Sequence, residues 1–434
     1  MGEKKIANFR LKRNILIGSA IACIAVATIV VTINAKIGNK ANNGSLEVAS
    51  KQEEKPQAIT ISTRAKNSNN YTEVTSEDEK PVLVPKGYVA SPDVEERYVN
   101  GVTTDGVREH HGGFVIYERL ASDEGKTDEQ VQQVIENDLD VAQRTRNQWV
   151  WVPIVSGEVS NMYHVTNGKI AGNYYTFGAS IYSKETKETR EPQVSTTDNW
   201  KNNFKKFMEG RSKEEFLQEM REEFYEMLES VKTYGGFYIG RYETGNVRQK
   251  SVEIVKGFTS IGYNKVNDIS DQNWYSYYKK LKMLRGKNPV KTGVIWNIQW
   301  DETMKWLIDS GEKTYAEIGS DSTSWGNYSN STFTYTDTNG RTSTKTSGYA
   351  GSGRIVPTGS TEYTKANNIY DLAGNVHELT MSLYNESNAN YRRTRGGYYD
   401  YEGNYWDNVA GAANSNTPED AKHSIGCRAA LYIS

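Results

Sequence analysis

A short loop near the C-terminal end of the chain carries residue types that suit a hard cation. Within Asn367–Thr380 (NNIYDLAGNVHELT), the residues Asp371, Gly374, Asn375 and Glu378 place oxygen donors and a flexible backbone close together. Calcium takes carboxylate and carbonyl oxygens in loops of this kind. The same letters also fit a plain turn that leads into a strand, and that alternative stays open. The sequence therefore predicts a candidate calcium site here.

A second candidate region follows, and it is dense in Tyr, Asn, Asp, Ser and Trp over Tyr384–Asn416. Its aromatic residues after Gly396-Gly397 are Tyr398, Tyr399, Tyr401, Tyr405 and Trp406. Antibody paratopes favour the same residue types, because rigid amphipathic rings give contact area at a low entropy cost. We interpret these residues as a candidate ligand-binding groove. The alternative, that they only fill an irregular fold, is equally open.

Composition excludes some classes of function. The 434-residue chain has a net charge of −2 and a pI near 6.3, so nothing indicates binding to nucleic acid. It is 36% hydrophobic with 29 Tyr, which fits an aqueous, loop-rich β or α+β protein better than a polytopic membrane protein. Its two cysteines are Cys23, in an apolar N-terminal segment, and Cys427 near the other end. We expect no disulfide between them.

One N-terminal segment predicts a membrane anchor. Ile15–Ile33 is uncharged and mostly apolar, and its length nearly spans a hydrocarbon core of about 30 Å. Basic residues precede it, so the positive-inside rule places the N-terminus in the cytoplasm and the rest of the chain outside the cell. We predict a cytoplasmic basic tail (1–13), a transmembrane anchor (14–35) and a disordered linker (36–80). A cleaved signal peptide is the alternative, but the long apolar core favours an anchor.

The remaining residues, 81–434, predict one α+β domain with a helical insertion at about 184–232. β-Rich runs occur at Pro81–Pro85, Gly113–Tyr117, Gln148–Pro153 and Gly236–Glu243. A helix is indicated by a capping box at Ser212–Glu215, apolar residues at helical spacing and a stop at Gly235-Gly236. Amphipathic stretches follow at Asn273–Leu284 and Trp296–Ile308. Residues 319 to about 365 predict a hairpin or a surface loop.

These segments resemble, in order, those of the formylglycine-generating enzyme family, the sulfatase-modifying-factor domain. YDLAGNVHEL (370–379), TRGGYY (394–399) and IGCRAALY (425–432) stand where the family has YDMAGNVWEW, RGGS and GFRCA. Weaker likenesses lie at Trp149–Pro153, Phe237–Asn246, Asn273–Tyr278 and Val294–Leu307. The resemblance implies a formylglycine-generating-enzyme-like variant of the C-type-lectin fold. Such a domain has a twisted antiparallel sheet, flanking helices and much irregular loop, and here it would follow one N-terminal transmembrane helix.

The resemblance also implies a set of calcium ligands. They are the Asp371 side chain, the Gly374 and Val376 carbonyls and the Glu378 carboxylate. Two carboxylates and two carbonyls are chemically suited to calcium, with waters completing the shell. The ion would be structural and would pin the loop.

The family's enzymes oxidise a substrate cysteine to formylglycine with O₂ and copper(I) held by two cysteines. The matching positions here are Tyr401 and Trp406, so the resemblance implies that this copper site is missing. Cys427 takes the Phe place of GFRCA, and we expect it to be a buried small hydrophobe. His377 stands where the family has a packing Trp, so we expect a surface or packing residue.

Three hypotheses follow. The first is a single-pass cell-surface protein whose domain has lost the copper site and binds or displays a ligand, either a protein or a carbohydrate. The second is an oxidoreductase of the same fold that uses unrecognised residues, with iron as its metal. The third is a structural module of the cell envelope. The region after Gly397 also looks like the variable region of lectin-fold receptors that are diversified by retroelements.

Overall fold

The computed structural model describes residues 68–154, 210–245, 253–257, 273–284, 289–383, 391–418 and 422–434. They belong to one unit, Lys55–Ser434, and mix helices with mainly antiparallel sheets, as the sequence predicted. The helices are α1 (Asp128–Asn137), α2 (Leu139–Thr145), α3 (Lys213–Tyr234), α4 (Trp274–Leu281), α5 (Asn297–Asp309) and α6 (Tyr315–Gly319). The strands are β1 (Tyr71–Thr75), β2 (Pro81–Pro85), β3 (Tyr88–Ala90), β4 (Gly101–Thr104), β5 (Val107–His111), β6 (Val115–Glu118), β7 (Gln148–Pro153), β8 (Gly236–Gly240), β9 (Val290–Val294), β10 (Phe333–Thr336), β11 (Thr342–Lys345), β12 (Lys365–Ala366), β13 (Ile369–Tyr370), β14 (His377–Leu383), β15 (Arg392–Arg395), β16 (Ala413–Asn416), β17 (Ile425–Cys427) and β18 (Ala429–Ile433).

A six-stranded antiparallel sheet forms the largest layer, in the order β3-β6-β7-β8-β18-β9. Strand β7 has the bounds that the sequence predicted, and five of its six residues are buried. Its apolar run is covered on both faces, because α5 packs on it as well as neighbouring loops. Strand β8 is buried along its whole length.

A four-stranded sheet, ordered β16-β15-β14-β17, carries the candidate sites. Strands β14 and β17 run parallel, and the other two pairings are antiparallel. Only Arg428 separates β17 from β18, so the C-terminal run passes from the four-stranded sheet directly into the six-stranded one. This continuity fixes the two sheets against each other at Arg428.

Helix α5 lies between the two sheets, where it contacts β7, β14 and β15. Ten of its 13 residues are buried, including polar Asp301. Asp301 pairs with Arg395 of β15 at 2.7 Å, and Arg395 also stacks over the ring of Trp300. The helix thus anchors the strand that leads into the aromatic region.

Helix α3 confirms the predicted cap and stop signals. Ser212 accepts a hydrogen bond from the backbone N–H of Glu215, and the Glu215 carboxylate accepts from the backbone N–H of Ser212. Gly235 ends the helix with a φ of 76°, a left-handed conformation that glycine adopts without strain. The predicted hairpin in the Ser/Thr-rich stretch is also present, as β10 and β11.

The N-terminal boundary differs from the prediction. Strand β1 (Tyr71–Thr75) lies within the segment predicted as linker, 36–80, and pairs along its whole length with β2. Tyr71 is buried in a cluster with Leu83 and Ile433, because pairing with β2 turns its ring towards the core. The predicted anchor, 14–35, and most of the predicted insertion lie outside the described residues. Within the described ranges, no helix is long and apolar enough to cross a membrane.

Candidate functional site

The chain leaves β15 through two glycines in left-handed conformations. Gly396 has a φ of 86° and Gly397 a φ of 72°. A Cβ on Gly397 would lie 1.9 Å from the carbonyl oxygen of Asn408, which no side chain can tolerate. Glycine is therefore required here by both backbone angle and space, and it turns the chain out of the sheet into residues 398–408.

Asn408 holds the two ends of this loop together. It is 2% exposed, and its Oδ1 accepts from the backbone N–H of Tyr398 at 2.9 Å. Its Nδ2 donates to the carbonyls of Tyr398 and Glu402, both at 3.2 Å. A single buried amide thus supplies the bonds that a missing strand partner would otherwise give.

Backbone hydrogen bonds brace the loop from three further segments. The N–H of Tyr399 donates to the carbonyl of Asn375, and the N–H of Ser329 donates to that of Tyr401. Ser322 bonds to the carbonyl of Gly403 in the same way. These contacts give the loop a defined shape although it contains no strand or helix.

The loop presents four rings in sequence, which we call the aromatic surface: Tyr398, Tyr401, Tyr405 and Trp406. Successive ring centroids lie 5.4, 6.1 and 5.9 Å apart, and each ring is tilted by 42–44° to the next. Tyr401, Tyr405 and Trp406 are 43%, 42% and 52% exposed. Within the described ranges Trp406 is the one exposed tryptophan, and large exposed rings in a group are typical of interaction sites.

Tyr399, the fifth predicted groove residue, differs from the other four. It is only 7% exposed, and its ring lies 6.1 Å from that of His423. Tyr399 packs inward, whereas Tyr398 is half-buried and Tyr401 is exposed. Tyr399 therefore supports the loop from below.

The aromatic surface is acidic. Asp400, Glu402 and Asp407 alternate with the rings, and no Lys or Arg occurs between Arg395 and Lys422. Burial raises the pKa of Asp407, and burial together with the neighbouring Tyr401 and Asp400 raises that of Tyr398. The surface therefore offers rings and carboxylates and lacks a basic side chain of its own.

His377 lies beneath the first ring of this surface. It is buried, its ring centroid is 4.6 Å from that of Tyr398, and its Nδ1 has no hydrogen-bond partner among the described residues. Burial lowers the pKa of His377 to about 4, with a bond to the backbone of Arg395 opposing the shift. The imidazole is thus neutral near pH 7 and acts as a packing residue, one of the two roles that the sequence predicted.

The predicted calcium loop is enclosed by protein donors. The carboxylate of Glu378 accepts bonds from Nε of Arg428 at 3.0 Å and from its Nη2 at 2.6 Å, and both residues are fully buried. Arg428 also donates to the carbonyls of Gly240 and Tyr370, at 2.9 and 2.8 Å. Burial raises the pKa of Glu378, and Arg428 opposes that shift. The positively charged guanidinium of Arg428 therefore lies next to Glu378, where the predicted calcium ion would lie.

Asp371 also accepts hydrogen bonds from neighbouring protein groups. Its Oδ2 accepts from the hydroxyl of Thr358 at 2.8 Å and from the N–H of Gly359 at 3.0 Å. Gly374, with a φ of 74°, packs so closely on Asn327 that a Cβ would lie 2.2 Å from the Asn327 carbonyl oxygen. These contacts hold the loop tightly.

The donor set fits calcium only in part: Oδ1 of Asp371 is buried with no hydrogen-bond partner among the described residues, whereas Glu378 is already paired. Both oxygens of Glu378 are engaged by Arg428, so a shared shell with Asp371 would require that ion pair to open. Among the described residues, no three His, Cys, Asp or Glu side chains converge on a metal position. Calcium held by Asp371, Gly374, Val376 and Glu378 stays a prediction.

Two further predictions concern sulfur and copper. Cys427 is fully buried in β17, and burial raises the pKa of its thiol, as expected for a small hydrophobe that is never a thiolate at neutral pH. Tyr401 and Trp406, the positions that match the family's copper ligands, both belong to the aromatic surface. Phenol and indole rings offer no soft thiolate for copper(I).

Sequence reasoning missed Asn408 and the partner of Glu378. Asn408 lies in a stretch without periodicity, and its only signal is the preceding Gly-Gly pair, which demands a nearby polar partner. Arg428 stands in the quoted motif IGCRAALY, and a lone arginine between two apolar strands is a signal for a buried ion pair. Glu243, which bonds Asn375 and Val376, could be found by the same reasoning.

No protein-family model and no curated protein matches this chain. Solved structures that resemble part of it include CarF, which is 14% identical over 46% of this chain and 87% of that one, with a TM-score of 0.29. Treponema denticola variable protein 1 is 13% identical over 46% and 85%, with a TM-score of 0.30. PvdO from Pseudomonas aeruginosa is 17% identical over 46% and 81%, with a TM-score of 0.25. With TM-scores well below 0.5, these likenesses assign neither fold nor function.

Proposed function

We propose that the described domain is a formylglycine-generating-enzyme-like variant of the C-type-lectin fold that binds a ligand through its aromatic surface. The family resemblance rests on the three closing motifs, which belong to β13–β14, β15 with its Gly-Gly exit, and β17–β18. The single observation that carries the binding function is the row of exposed rings on a loop braced by Asn408. Rigid aromatic residues lose little entropy on binding, and they dominate the energy of interfaces.

A protein partner with a basic surface suits this geometry best. The rings are mutually tilted, so they form a stepped surface and give no flat platform for a sugar chain. Asp400, Glu402 and Asp407 surround the rings, and arginine or lysine side chains could stack on Tyr or Trp while pairing with these carboxylates. We propose a partner rich in Arg and Lys at its contact surface.

A carbohydrate is the second candidate. Its specific support is that exposed rings and carboxylates lie side by side on one loop. Carboxylates beside the rings could accept hydrogen bonds from sugar hydroxyls. The same experiment separates the two candidates.

The test is binding of the labelled full chain to a peptide array, with basic, acidic and neutral sequences, and to a glycan array. The proposal expects binding to basic peptides, or to glycans for the second candidate, and its loss in a Tyr401→Ala/Tyr405→Ala/Trp406→Ala variant. Tyr315→Ala/Met283→Ala is the matched control, since both side chains are large, exposed and outside the aromatic surface. Binding that survives in the triple variant, or that disappears equally in the control, contradicts the proposal.

The proposal for the whole chain adds a membrane anchor at 14–35 with the domain outside the cell. Protease treatment of intact cells should then remove the domain, whereas a cytoplasmic domain would stay protected.

For the calcium prediction, melting with and without a chelator is decisive. A lower melting temperature after chelation, restored by calcium, supports an ion at Asp371–Glu378, and an unchanged melting curve with no retained calcium contradicts it.

A further inference from the structure

A row of four glutamates on α3 faces a cavity that shares no residue with the aromatic surface. Glu219, Glu222, Glu223 and Glu226 follow at spacings of three, one and three residues, so they lie on one face of the helix. The cavity measures about 220 Å³, and its other walls come from the C-terminal end of α4, β9, β18, the start of α5 and Met381 of β14. An acidic row alone is commonly a solvated helix face. The residues on the other walls of the cavity must therefore show whether the row belongs to a ligand site.

Two lysines neutralise part of this row. Lys282 pairs with Glu219 and Glu223, and Lys291 pairs with Glu226. The hydroxyl of Tyr278, which also lines the cavity, donates to Glu223 at 2.9 Å. Arg211 also pairs with Glu219, at 2.6 Å, so four carboxylates face two lysines and one arginine, which leaves an excess of one negative charge beside the cavity.

The wall opposite the glutamates has an opening in its packing. Gly293 sits in the middle of β9, opposite Ala430 of β18, and lines the cavity. A Cβ built on Gly293 would meet no atom within 4 Å. Neither a left-handed φ nor a close neighbour demands glycine at this position. Glycine weakens a strand interior, and it often marks a place where a ligand approaches.

A buried amide donor at the same cavity has no acceptor. Gln299 is fully buried, and its Oε1 accepts from the N–H of Trp296 at 3.0 Å as the cap of α5. Its Nε2 has no hydrogen-bond partner among the described residues, although buried amides are normally satisfied. Gln299 and Trp296 both line the cavity, so a bound oxygen atom there could accept the missing bond.

We propose that this cavity binds a small protonated amine that also carries a hydroxyl or carbonyl oxygen. The ammonium group lies against the glutamate row and the ring of Trp296, where both charge and the aromatic face favour a cation. The oxygen accepts from Nε2 of Gln299, and the ligand body occupies the space above Gly293. The volume is below the roughly 300–1,000 Å³ of sites for drug-sized ligands, so the size class is that of an amino alcohol or an amino sugar.

The experiment is calorimetric titration of the full chain with glucosamine and ethanolamine, with glucose and ethylene glycol as their uncharged counterparts. The proposal expects saturable binding of an amine and at least tenfold weaker binding of its counterpart. Equal binding of the charged and uncharged members, or no binding of either amine at millimolar concentration, overturns it.

Two variants locate the site. Gly293→Val fills the opening and suits a strand, so it should fold as well as the wild type and bind the amine at least tenfold more weakly. Glu222→Gln removes a charge from the row without breaking a lysine pair and should also weaken binding. Glu229→Gln is its control, because it removes the same charge from the same helix outside the cavity lining; it also ends the pair of Glu229 with Lys232, so it reports the effect of a lost ion pair on this helix as well. Should Gly293→Val fail to fold, equal affinities of the two glutamine variants would still overturn the proposal.

Discussion

Replacing Asn408 by alanine should loosen the loop that carries the aromatic surface. The variant removes one accepted and two donated hydrogen bonds, and it leaves the N–H of Tyr398 and the carbonyls of Tyr398 and Glu402 without these partners. A typical internal hydrogen bond contributes about 0.5–1.5 kcal/mol net, so three predict a loss of about 1.5–4.5 kcal/mol in the free energy of unfolding. Part of this loss is offset where the freed groups reach water.

Two measurements check this prediction. Urea unfolding gives the change in the free energy of unfolding, and hydrogen exchange of the Tyr398 amide reports the loop itself. Asn414→Ala is the matched control, since the Asn414 side chain makes one bond, to the carbonyl of Asp407 at 3.2 Å. If Asn408→Ala lowers the free energy of unfolding no more than Asn414→Ala does, and hydrogen exchange of the Tyr398 amide is unchanged, then the Asn408 amide does not brace the loop.

The other predictions concern the residues around the loop. Between pH 6.5 and about 4 the unfolded chain protonates His377 while the folded chain does not. Stability should therefore fall as pH falls, by about 3 kcal/mol across that window, and His377→Phe should remove this part of the pH dependence in urea titrations. Gly397→Ala should destabilise the protein by well over the roughly 1–2 kcal/mol expected for Gly340→Ala, because Gly340 has a similar φ of 78° but open space around it; equal melting points of the two variants would contradict this. Arg428→Met should lower the free energy of unfolding by about 3–5 kcal/mol, because Glu378 is left buried without its partner. Adding Glu378→Met should restore part of that loss, and a purely additive double variant would argue against the pairing.

Local sequence patterns predicted much of the fold. The capping box and Gly-Gly stop around α3, and the apolar run of β7, predicted both elements because they depend on contacts within a few residues. For residues 319 to about 365, the rarity of long structureless loops leaves a hairpin or a surface loop open, and the structure has the hairpin β10–β11. In contrast, the sequence pattern assigns β1 to the linker, because the pairing of β1 with β2 and the burial of Tyr71 depend on residues as distant as Ile433.

Non-local contacts explain what the sequence missed at the site. The pattern predicted five groove rings, but a loop without periodicity gives no rule for which side chains face outward, and Tyr399 turned inward. The oxygen-rich loop suggested a cation, and the positive group beside Glu378 is Arg428, fifty residues along the chain. Neither outcome can be read from spacing, because each depends on residues that are distant along the chain, His423 for Tyr399 and Arg428 for Glu378.

The central claim, that the aromatic surface contacts the ligand, is tested most directly by ¹⁹F NMR of the chain labelled with 5-fluorotryptophan. The Trp406 resonance is assigned by its loss in Trp406→Phe, and the buried Trp149 and Trp300 serve as internal references. The array-selected peptide or glycan is then titrated into the sample. We expect the Trp406 resonance to shift with saturation while the resonances of the buried tryptophans do not change. Saturable binding that leaves the Trp406 resonance unmoved would contradict it.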